Sequence, residues 1–300
     1  MSRRVEEKAQ ARQKVAELRA ARLRAERRKR LLIALGAVAI VVVVVGGLIV
    51  VRLTGGGKQT TATPSGTADT AIVSALAAVP ATTFDQVGSD GVQGGPAAIT
   101  APALTANGKP KVLYIGAEYC PFCAAERWPV AVALSRFGSF SNLGTTHSAS
   151  DDVYPNTPTL SFHGATYTSQ YLAFTGVETT TNQKVNGQYA PLDTPTAADQ
   201  QTFDTYNQPP YVQSGGSIPF IDLGGKFVSS GATYSPAILA GRTQADIANA
   251  LKDPSSPISR AVDASANGYT AALCQVTGNQ PGNVCTSPAV TAAAGKLGRS

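Results

Sequence analysis

The pattern of apolar and polar positions divides the chain into segments of different character. Residues 31–51, "LLIALGAVAIVVVVVGGLIVV", form an apolar run without a charge. At about 1.5 Å of rise per residue, such a helix is long enough to cross the roughly 30 Å apolar core of a bilayer. A flexible Gly/Ser/Thr-rich linker follows at 52–68. Short apolar runs and turn residues then alternate over 69–290, where we predict one folded domain, and 291–300 form a tail.

Within 69–290 the pattern predicts a mixed α/β domain, with turn signals at Asn107-Gly108 and Gly224-Gly225. Strands are predicted at Lys111–Ile115, 218–223 and 226–229, and strand-like pieces lie within 159–178. Helices are predicted at 69–79, 124–137, 195–207, 243–253 and 259–274. The polar stretch at about 145–210 lacks strong regular signals, which favours an insertion on a scaffold.

Positive charge is concentrated at the N-terminus. Residues 1–30 contain twelve Lys or Arg and four Asp or Glu, whereas the other 270 residues contain thirteen and fifteen. The positive-inside rule places this basic, helix-favouring tail in the cytoplasm and the chain beyond the anchor outside it. We predict that the anchor is not cleaved, because the run exceeds a signal-peptide core and "VRLTGGGKQ" offers no small-x-small site. The main domain has no excess of basic residues, so nucleic-acid binding is not predicted.

Two of the four cysteines, Cys120 and Cys123, lie in "CPFC" between an apolar strand and a helix. Cys120 is then at the helix N-terminus, with Pro121 at the first helical position. Free amide groups and the helix dipole at that point lower the pKa of a thiol and favour the nucleophilic thiolate. Cys123 lies one turn along the same face and can close a disulfide with Cys120, the arrangement that thiol–disulfide exchange requires. A structural disulfide or a copper(I) site on the two thiolates remains an alternative.

Other metal chemistry does not fit the spacing of possible ligands. Zinc needs four ligands, commonly in two close pairs, and His147 and His163 are 16 residues apart. Haem attachment would need a histidine where the chain has Ala124. We therefore predict no metal and no soluble cofactor. Cys274 and Cys285 enclose a Gly/Asn/Pro turn, so we predict a structural disulfide between them that stabilises the domain by roughly 2–4 kcal/mol.

The stretch "VLYIGAEYCPFC" resembles the active-site strand and turn of the thioredoxin superfamily, and "SIPF" resembles its cis-proline loop. Together with the anchor and "SFHGATYTSQYLAF", the chain is similar over about residues 70–290 to membrane-anchored, thioredoxin-like (Dsb-like) bacterial proteins of uncharacterised function. The resemblance implies a thioredoxin-like fold with an insertion at about 145–210, between the CxxC helix and the proline hairpin. It also implies that Pro219 packs against the CxxC turn, that the backbone of Ile218 binds a substrate chain, and that Phe122 adds to this substrate-binding surface.

The chain departs from the thioredoxin pattern at three positions near the motif. Tyr114 stands six residues before Cys120, where many thioredoxins carry a buried acid, and Pro129 falls one residue later than the usual helix proline. Phe122 stands where the strongest oxidases have histidine. It cannot donate a hydrogen bond to a thiolate, so we expect a less oxidising pair. The remaining candidates near the motif, interpreted as packing, surface or rim residues, are Glu118, Tyr119, Trp128 and His163.

The combined prediction is a single-pass membrane protein whose extracytoplasmic domain is a thiol–disulfide oxidoreductase. Cys120 forms the mixed disulfide with a substrate, and Cys123 resolves it. The predicted partners are exported protein substrates, the lipid bilayer, and a membrane redox partner that resets the pair. The alternative is a tethered, non-catalytic binding or assembly module in which the CxxC pair is a structural disulfide or a soft-metal site. The sequence does not set the direction of electron flow.

Overall fold

The computed structural model describes residues 69–297. The predicted cytoplasmic tail at 1–30, the anchor at 31–51 and the linker at 52–68 lie outside the described residues. Among the helices of residues 69–297, none is both long and apolar enough to cross a membrane.

The described residues form a mixed α/β domain, as the pattern predicts. The strands are β1 Ala97–Ala98, β2 Thr105–Ala106, β3 Lys109–Gly116, β4 Gly138–Ser141, β5 Gly144–His147, β6 Pro158–Ser161, β7 Thr166–Ser169, β8 Ala173–Glu178, β9 Thr180–Val185, β10 Gln188–Pro191, β11 Phe220–Leu223 and β12 Phe227–Ser230. The α-helices are α1 Thr70–Ala77, α2 Ala81–Val87, α3 Pro121–Ser135, α4 Ala197–Tyr206, α5 Gln244–Ala250, α6 Pro257–Val276, α7 Gly282–Cys285 and α8 Pro288–Ala294. A 3₁₀ turn covers Pro236–Leu239.

The central sheet is mixed, and β3 lies at its middle. The strands follow the order β1-β12-β11-β3-β2, and β8 also pairs with β3. On one side β3 pairs with β11 in antiparallel register, with Ile115 opposite Phe220. On the other side β3 runs parallel to β8, with Gly116 opposite Glu178. The end of β3, the start of β11 and the end of β8 therefore meet at one edge of the sheet.

Two tight turns shape the sheet as the sequence predicts. Asn107 and Gly108 have positive φ angles of 53° and 72° and join β2 to β3. Gly224 and Gly225 join β11 to β12 with φ angles of 68° and 70°. A Cβ atom on Gly225 would lie 2.2 Å from the carbonyl oxygen of Pro102, so both φ and space require glycine there.

The sheet is buried on both faces, as expected for the apolar run in β3. Val112 and Tyr114 face the main core, which is shared with α1, α3 and α6. Leu113 and Ile115 point the other way, into a smaller cluster with Val177. This second cluster is covered by partly buried side chains that include Phe203 of α4. Successive strand residues point to opposite faces, so β3 carries core residues on both.

Residues 145–210, predicted as an insertion, contribute one strand to the central sheet. β8 pairs with β3 over six residues, from Ala173 to Glu178. The flanking pieces form β5–β6, β4–β7 and β9–β10 pairs and the helix α4. This stretch therefore includes a strand of the central sheet. Val177 of β8 lies in the small cluster against which Phe203 of α4 packs, and Phe174 packs against the main core.

The C-terminal boundary of the domain also needs correction, because residues 291–297, predicted as a tail, are part of it. α8 runs from Pro288 to Ala294, and Val290 and Ala293 are buried in the main core. The predicted disulfide between Cys274 and Cys285 is present and joins the end of α6 to α7, just before α8. The helix α2 was not predicted, and α3 begins at Pro121 rather than at Ala124.

Candidate active site

The two cysteines of "CPFC" lie where β3 gives way to α3. Cys120 is the N-cap of α3, Pro121 occupies the first helical position, and Cys123 lies in the first turn. The amide N–H of Cys123 donates to Cys120 Sγ over 3.3 Å. Both thiols are free; Cys120 is 6% exposed and Cys123 is fully buried. The helix start therefore supplies a donor to the first sulfur, as the sequence predicts.

The two thiols have opposite pKa shifts. The pKa of Cys120 is lowered, first by a hydrogen bond with the Cys123 side chain and, against the effect of burial, by the amide N–H of Cys123 and the charge of Arg127. The pKa of Cys123 is raised well above its usual value, first by burial and then by the hydrogen bond with Cys120. Cys120 is therefore the thiol of the pair that ionises first, and Cys123 keeps its proton to higher pH.

Ile218 brings a distant part of the chain to the first sulfur. The Ile218–Pro219 peptide bond is cis, Pro219 is buried, and β11 begins at the next residue. Cys120 Sγ lies 3.9 Å from the carbonyl oxygen of Ile218, 98 residues away in sequence. Because the start of β11 is paired with the end of β3, this carbonyl and the CxxC turn share one edge of the sheet.

A rim of apolar side chains lies beside the thiols. Phe122, between the two cysteines, is 40% exposed, and its ring makes an edge-to-face contact with Tyr154 at a centroid distance of 5.9 Å. The neighbouring Val153 is 72% exposed. The loop that carries them is fastened to the CxxC turn, because the amide of Ala149 donates to the carbonyl of Tyr119 over 2.8 Å. The rim thus combines the motif with a loop from the predicted insertion.

A buried ion pair lies on the elements that frame the thiols, and the sequence interpretation missed it. Arg127, four residues after Cys123 in α3, donates from Nε and Nη2 to the two carboxylate oxygens of Glu178 over 2.8 and 2.6 Å. Nη2 also donates to the carbonyl of Ala117, in the turn before Cys120, over 2.7 Å. Both side chains are fully buried. The available signal was the charged pair "ER" within an otherwise apolar helix.

A second buried carboxyl in α3, that of Glu126, was also missed. Its oxygens accept hydrogen bonds from the amide and hydroxyl of Thr233 and, over 2.6 Å, from the hydroxyl of Tyr269. Tyr269 lies within 3.0 Å of Ser229 Oγ as well. Burial raises the pKa of Glu126 to about 7, although these hydrogen bonds lower it. The group joins α3 to β12 and α6.

Three of the candidate residues near the motif have buried side chains. Glu118 is buried and accepts a hydrogen bond from Ser161 over 2.6 Å, so it is not a solvated loop residue. Trp128 is buried and donates to the carbonyl of Pro158 over 3.2 Å, which excludes it from an exposed rim. Tyr114 is fully buried, and its hydroxyl has no hydrogen-bond partner within the described part of the chain.

Tyr119 and His163 lie further out. The Tyr119 ring stacks on that of Tyr189 with a centroid distance of 4.2 Å, and burial raises the pKa of Tyr119 to about 12. His163 Nδ1 lies 2.7 Å from a carboxylate oxygen of Asp193, and both side chains are about a quarter exposed. Tyr119 therefore buttresses the CxxC turn, whereas His163 makes a partly exposed pair on the β7–β10 side of the domain.

Possible metal ligands are not clustered within residues 69–297. No group of three or more His, Cys, Asp or Glu side chains in this part of the chain is arranged to hold a metal ion. Cys120 Sγ lies 3.9 Å from the carbonyl oxygen of Ile218, and the charge of Arg127 lowers the pKa of this thiol. A positive charge that acts on the thiol favours its ionised form.

Comparison with known proteins identifies a matching family. A protein-family model described as "Domain of unknown function (DUF929)" matches residues 96–275, more than half of the chain. The matched range contains both free thiols, the Arg127–Glu178 pair and Pro219. No curated protein and no solved structure matches the chain.

Proposed function

The chain belongs to the DUF929 family, and we propose that it is a thiol–disulfide oxidoreductase, tethered to the membrane and acting on exported proteins. The observation that carries the proposal is the asymmetry of the two free thiols. Cys120 has a lowered pKa and lies 3.9 Å from the carbonyl of Ile218, and Cys123 behind it has a raised pKa. An attacking thiolate beside a resolving thiol is what disulfide exchange needs.

The proposed reaction proceeds by two thiolate displacements. In the reducing direction the Cys120 thiolate attacks one sulfur of a substrate disulfide; a Cys120–substrate disulfide forms and the other substrate sulfur leaves as a thiolate. Cys123 then loses its proton and attacks Cys120 Sγ, so that the Cys120–Cys123 disulfide forms and the second substrate sulfur leaves. Two electrons pass to the substrate, and its thiolates take up protons from Cys123 and from solvent. The oxidising direction is the reverse.

The fold supports a thioredoxin-like arrangement of this site. An apolar strand leads into the CxxC helix, and a cis-proline segment followed by an antiparallel strand pair packs against the CxxC turn. The carbonyl of Ile218, which accepts from Cys120 Sγ, and the exposed ring of Phe122 then flank a substrate cysteine. A substrate chain can bind there by backbone hydrogen bonds and apolar contact. The pair is reset by a membrane partner that carries a dithiol or disulfide.

The Cys123→Ala variant of the full-length chain, expressed in its membrane, tests the proposal. The resolving step is then blocked, so mixed disulfides between Cys120 and exported proteins accumulate. They are seen as adducts on non-reducing gels that disappear with reductant. The matched control is the Cys120→Ala/Cys123→Ala double variant, which cannot form them. Equal adduct patterns from the two variants would refute exchange at Cys120.

A non-catalytic module is the second candidate, and the low exposure of Cys120, at 6%, is the observation that favours it. In that case the pair is a staple, and it resists reductant as the Cys274–Cys285 disulfide does. Mass-shift labelling of the oxidised chain along a reductant series separates the two candidates. Exchange predicts that the Cys120–Cys123 bond opens first, whereas a staple predicts that both disulfides open together.

A further inference from the structure

The Arg127 guanidinium is a full charge held inside the protein on the elements that frame the thiols. Arg127 and Cys123 are four residues apart in α3, so they share one helix face. Nη2 is bonded to the carbonyl of Ala117, which lies in the turn that leads to Cys120. The guanidinium is thus held between the turn and the helix that carry the two sulfurs, and its exposure is 0%.

Glu178 holds the guanidinium from the far side. It is the last residue of β8 and lies opposite Gly116, the last residue of β3. Its two oxygens accept from Nε and Nη2 of Arg127, whereas Nη1 is buried and has no hydrogen-bond partner among residues 69–297. The carboxylate therefore neutralises one side of the guanidinium and leaves a donor nitrogen uncommitted.

Other ionisable groups lie near the thiols. The buried carboxyl of Glu118, two residues before Cys120, acts on Glu178. Tyr114 and Tyr119 face the thiols, but both phenols are neutral at ordinary pH, since burial raises the pKa of Tyr114 well above 10 and that of Tyr119 to about 12. Arg127 lowers the pKa of both Cys120 and Cys123. Among the groups that act on the thiols in the described part of the chain, Arg127 supplies the positive charge.

We propose that Arg127 is a positioning residue whose charge, balanced by Glu178, sets the reduction potential of the Cys120–Cys123 pair. The proposal rests on the function proposed above. The reduced pair carries a thiolate and the disulfide carries none, so a buried cation stabilises the reduced form and makes the pair more oxidising. A carboxylate that partly cancels the cation has the opposite effect. Arg127 thus compensates for Phe122, which cannot donate to the thiolate.

Two substitutions have effects of opposite sign if charge is the cause. Arg127→Met removes the cation, raises the pKa of Cys120 and shifts the equilibrium with glutathione about tenfold towards the disulfide, which is about 30 mV. Glu178→Gln keeps the shape but leaves the cation unbalanced; the pKa of Cys120 falls, and the equilibrium moves about tenfold towards the dithiol. In the Arg127→Met/Glu178→Gln double variant the glutathione equilibrium is expected to shift in the same direction as in Arg127→Met, because the cation is absent.

The test measures the glutathione equilibrium and the pH profile of Cys120 alkylation on the full-length chain, with mass spectrometry of the Cys120 peptide. The matched control is Lys111→Met, which breaks the Lys111–Asp199 ion pair elsewhere in the sheet and leaves both readouts unchanged. Shifts in opposite directions for Arg127→Met and Glu178→Gln support the proposal. Shifts in the same direction, or none, overturn it.

Two further experimental results also distinguish between the proposals. If Arg127→Met does not fold, Glu178→Gln alone decides: a lower pKa of Cys120 supports the role of Arg127, and an unchanged or higher one overturns it. If the wild-type thiols show no reversible couple with glutathione, the proposed oxidoreductase function fails and the role of Arg127 fails with it. A normal wild-type couple with same-sign variant shifts refutes the role of Arg127 alone.

Discussion

Replacement of Glu126 by glutamine is expected to remove the part of the pH dependence of folding that this carboxyl contributes. The carboxyl is fully buried, and burial raises its pKa from 4.5 to about 7. A group whose pKa is higher in the folded chain than in the unfolded one stabilises the fold below its unfolded pKa, and this stability is lost as the pH rises towards the folded pKa. Between pH 4.5 and 7 the loss is about 3 kcal/mol, at about 1.4 kcal/mol per pH unit.

Glutamine keeps the shape of the side chain without the titration. Its amide oxygen accepts from the Thr233 amide, which lies 2.8 Å from Glu126 Oε2, and its NH₂ group faces the Tyr269 hydroxyl. Tyr269 can turn its proton to Ser229 Oγ, 3.0 Å away, so no buried donor is left unpaired. Glu126→Gln is therefore expected to be more stable than the wild type at pH 8, by up to about 3 kcal/mol.

Urea unfolding at pH 4.5 to 8, followed by the fluorescence of the single Trp128, measures this effect. Burial also raises the pKa values of Asp263, to about 7, and Asp222, to about 6, but they act in both proteins and cancel in the difference. Tyr269→Phe is the matched variant, because it removes a hydrogen bond that lowers the pKa of Glu126 and extends the sloping region above pH 7. Parallel stability curves for wild type and Glu126→Gln would refute the reasoning.

Three other predictions concern the cysteines and the rim. Alkylation of the reduced chain is expected to modify Cys120 at a pH below the usual thiol pKa and to leave Cys123 unmodified, because their pKa values are shifted in opposite directions; equal labelling in peptide mass maps would contradict this. The Cys274→Ser/Cys285→Ser variant lacks the disulfide that joins residues 11 apart and is expected to have a free energy of unfolding lower by about 3 kcal/mol. The reduction potential of the Cys120–Cys123 pair is expected to stay unchanged; urea unfolding checks the stability and glutathione titration the potential. Phe122→Ser is expected to reduce mixed-disulfide yield in the Cys123→Ala background several-fold while Cys120 alkylation is kept, because it removes exposed apolar area that contacts a substrate; unchanged yield would exclude the rim from binding.

The parts of the fold that the sequence predicts are those encoded locally. The run before Cys120, the helix after it and the turn at Gly224-Gly225 each follow from a few adjacent residues, and the structure has all three. Their meeting in space, with Cys120 at the carbonyl of Ile218, was reached only through resemblance, because no local pattern joins residues 98 positions apart.

What could not be predicted depends on partners distant in the chain. β8 belongs to the central sheet because it pairs with β3, and Val177 shares a small cluster with Leu113 and Ile115, on which Phe203 packs. Arg127 and Glu178 are 51 residues apart, and neither charge by itself identifies the other as its partner. Only the pairing of β8 with β3 brings them together, and because that pairing was not predicted, the ion pair was not predicted either.

In the proposed reaction, the mixed disulfide itself changes the electrostatics of Cys123. In the reduced pair the pKa of Cys123 is raised first by burial and then by the hydrogen bond with Cys120 and its charge, while Arg127 lowers it. Once Cys120 is bonded to a substrate sulfur, it is neutral and no longer shares the proton of Cys123. Burial still raises the pKa of Cys123 and Arg127 still lowers it, but Cys120 no longer contributes. The pKa of Cys123 therefore falls. Tyr114, whose pKa is raised well above 10, is a neutral phenol where many thioredoxins carry an acid. The guanidinium that favours the first thiolate therefore also favours the second, after the first has reacted.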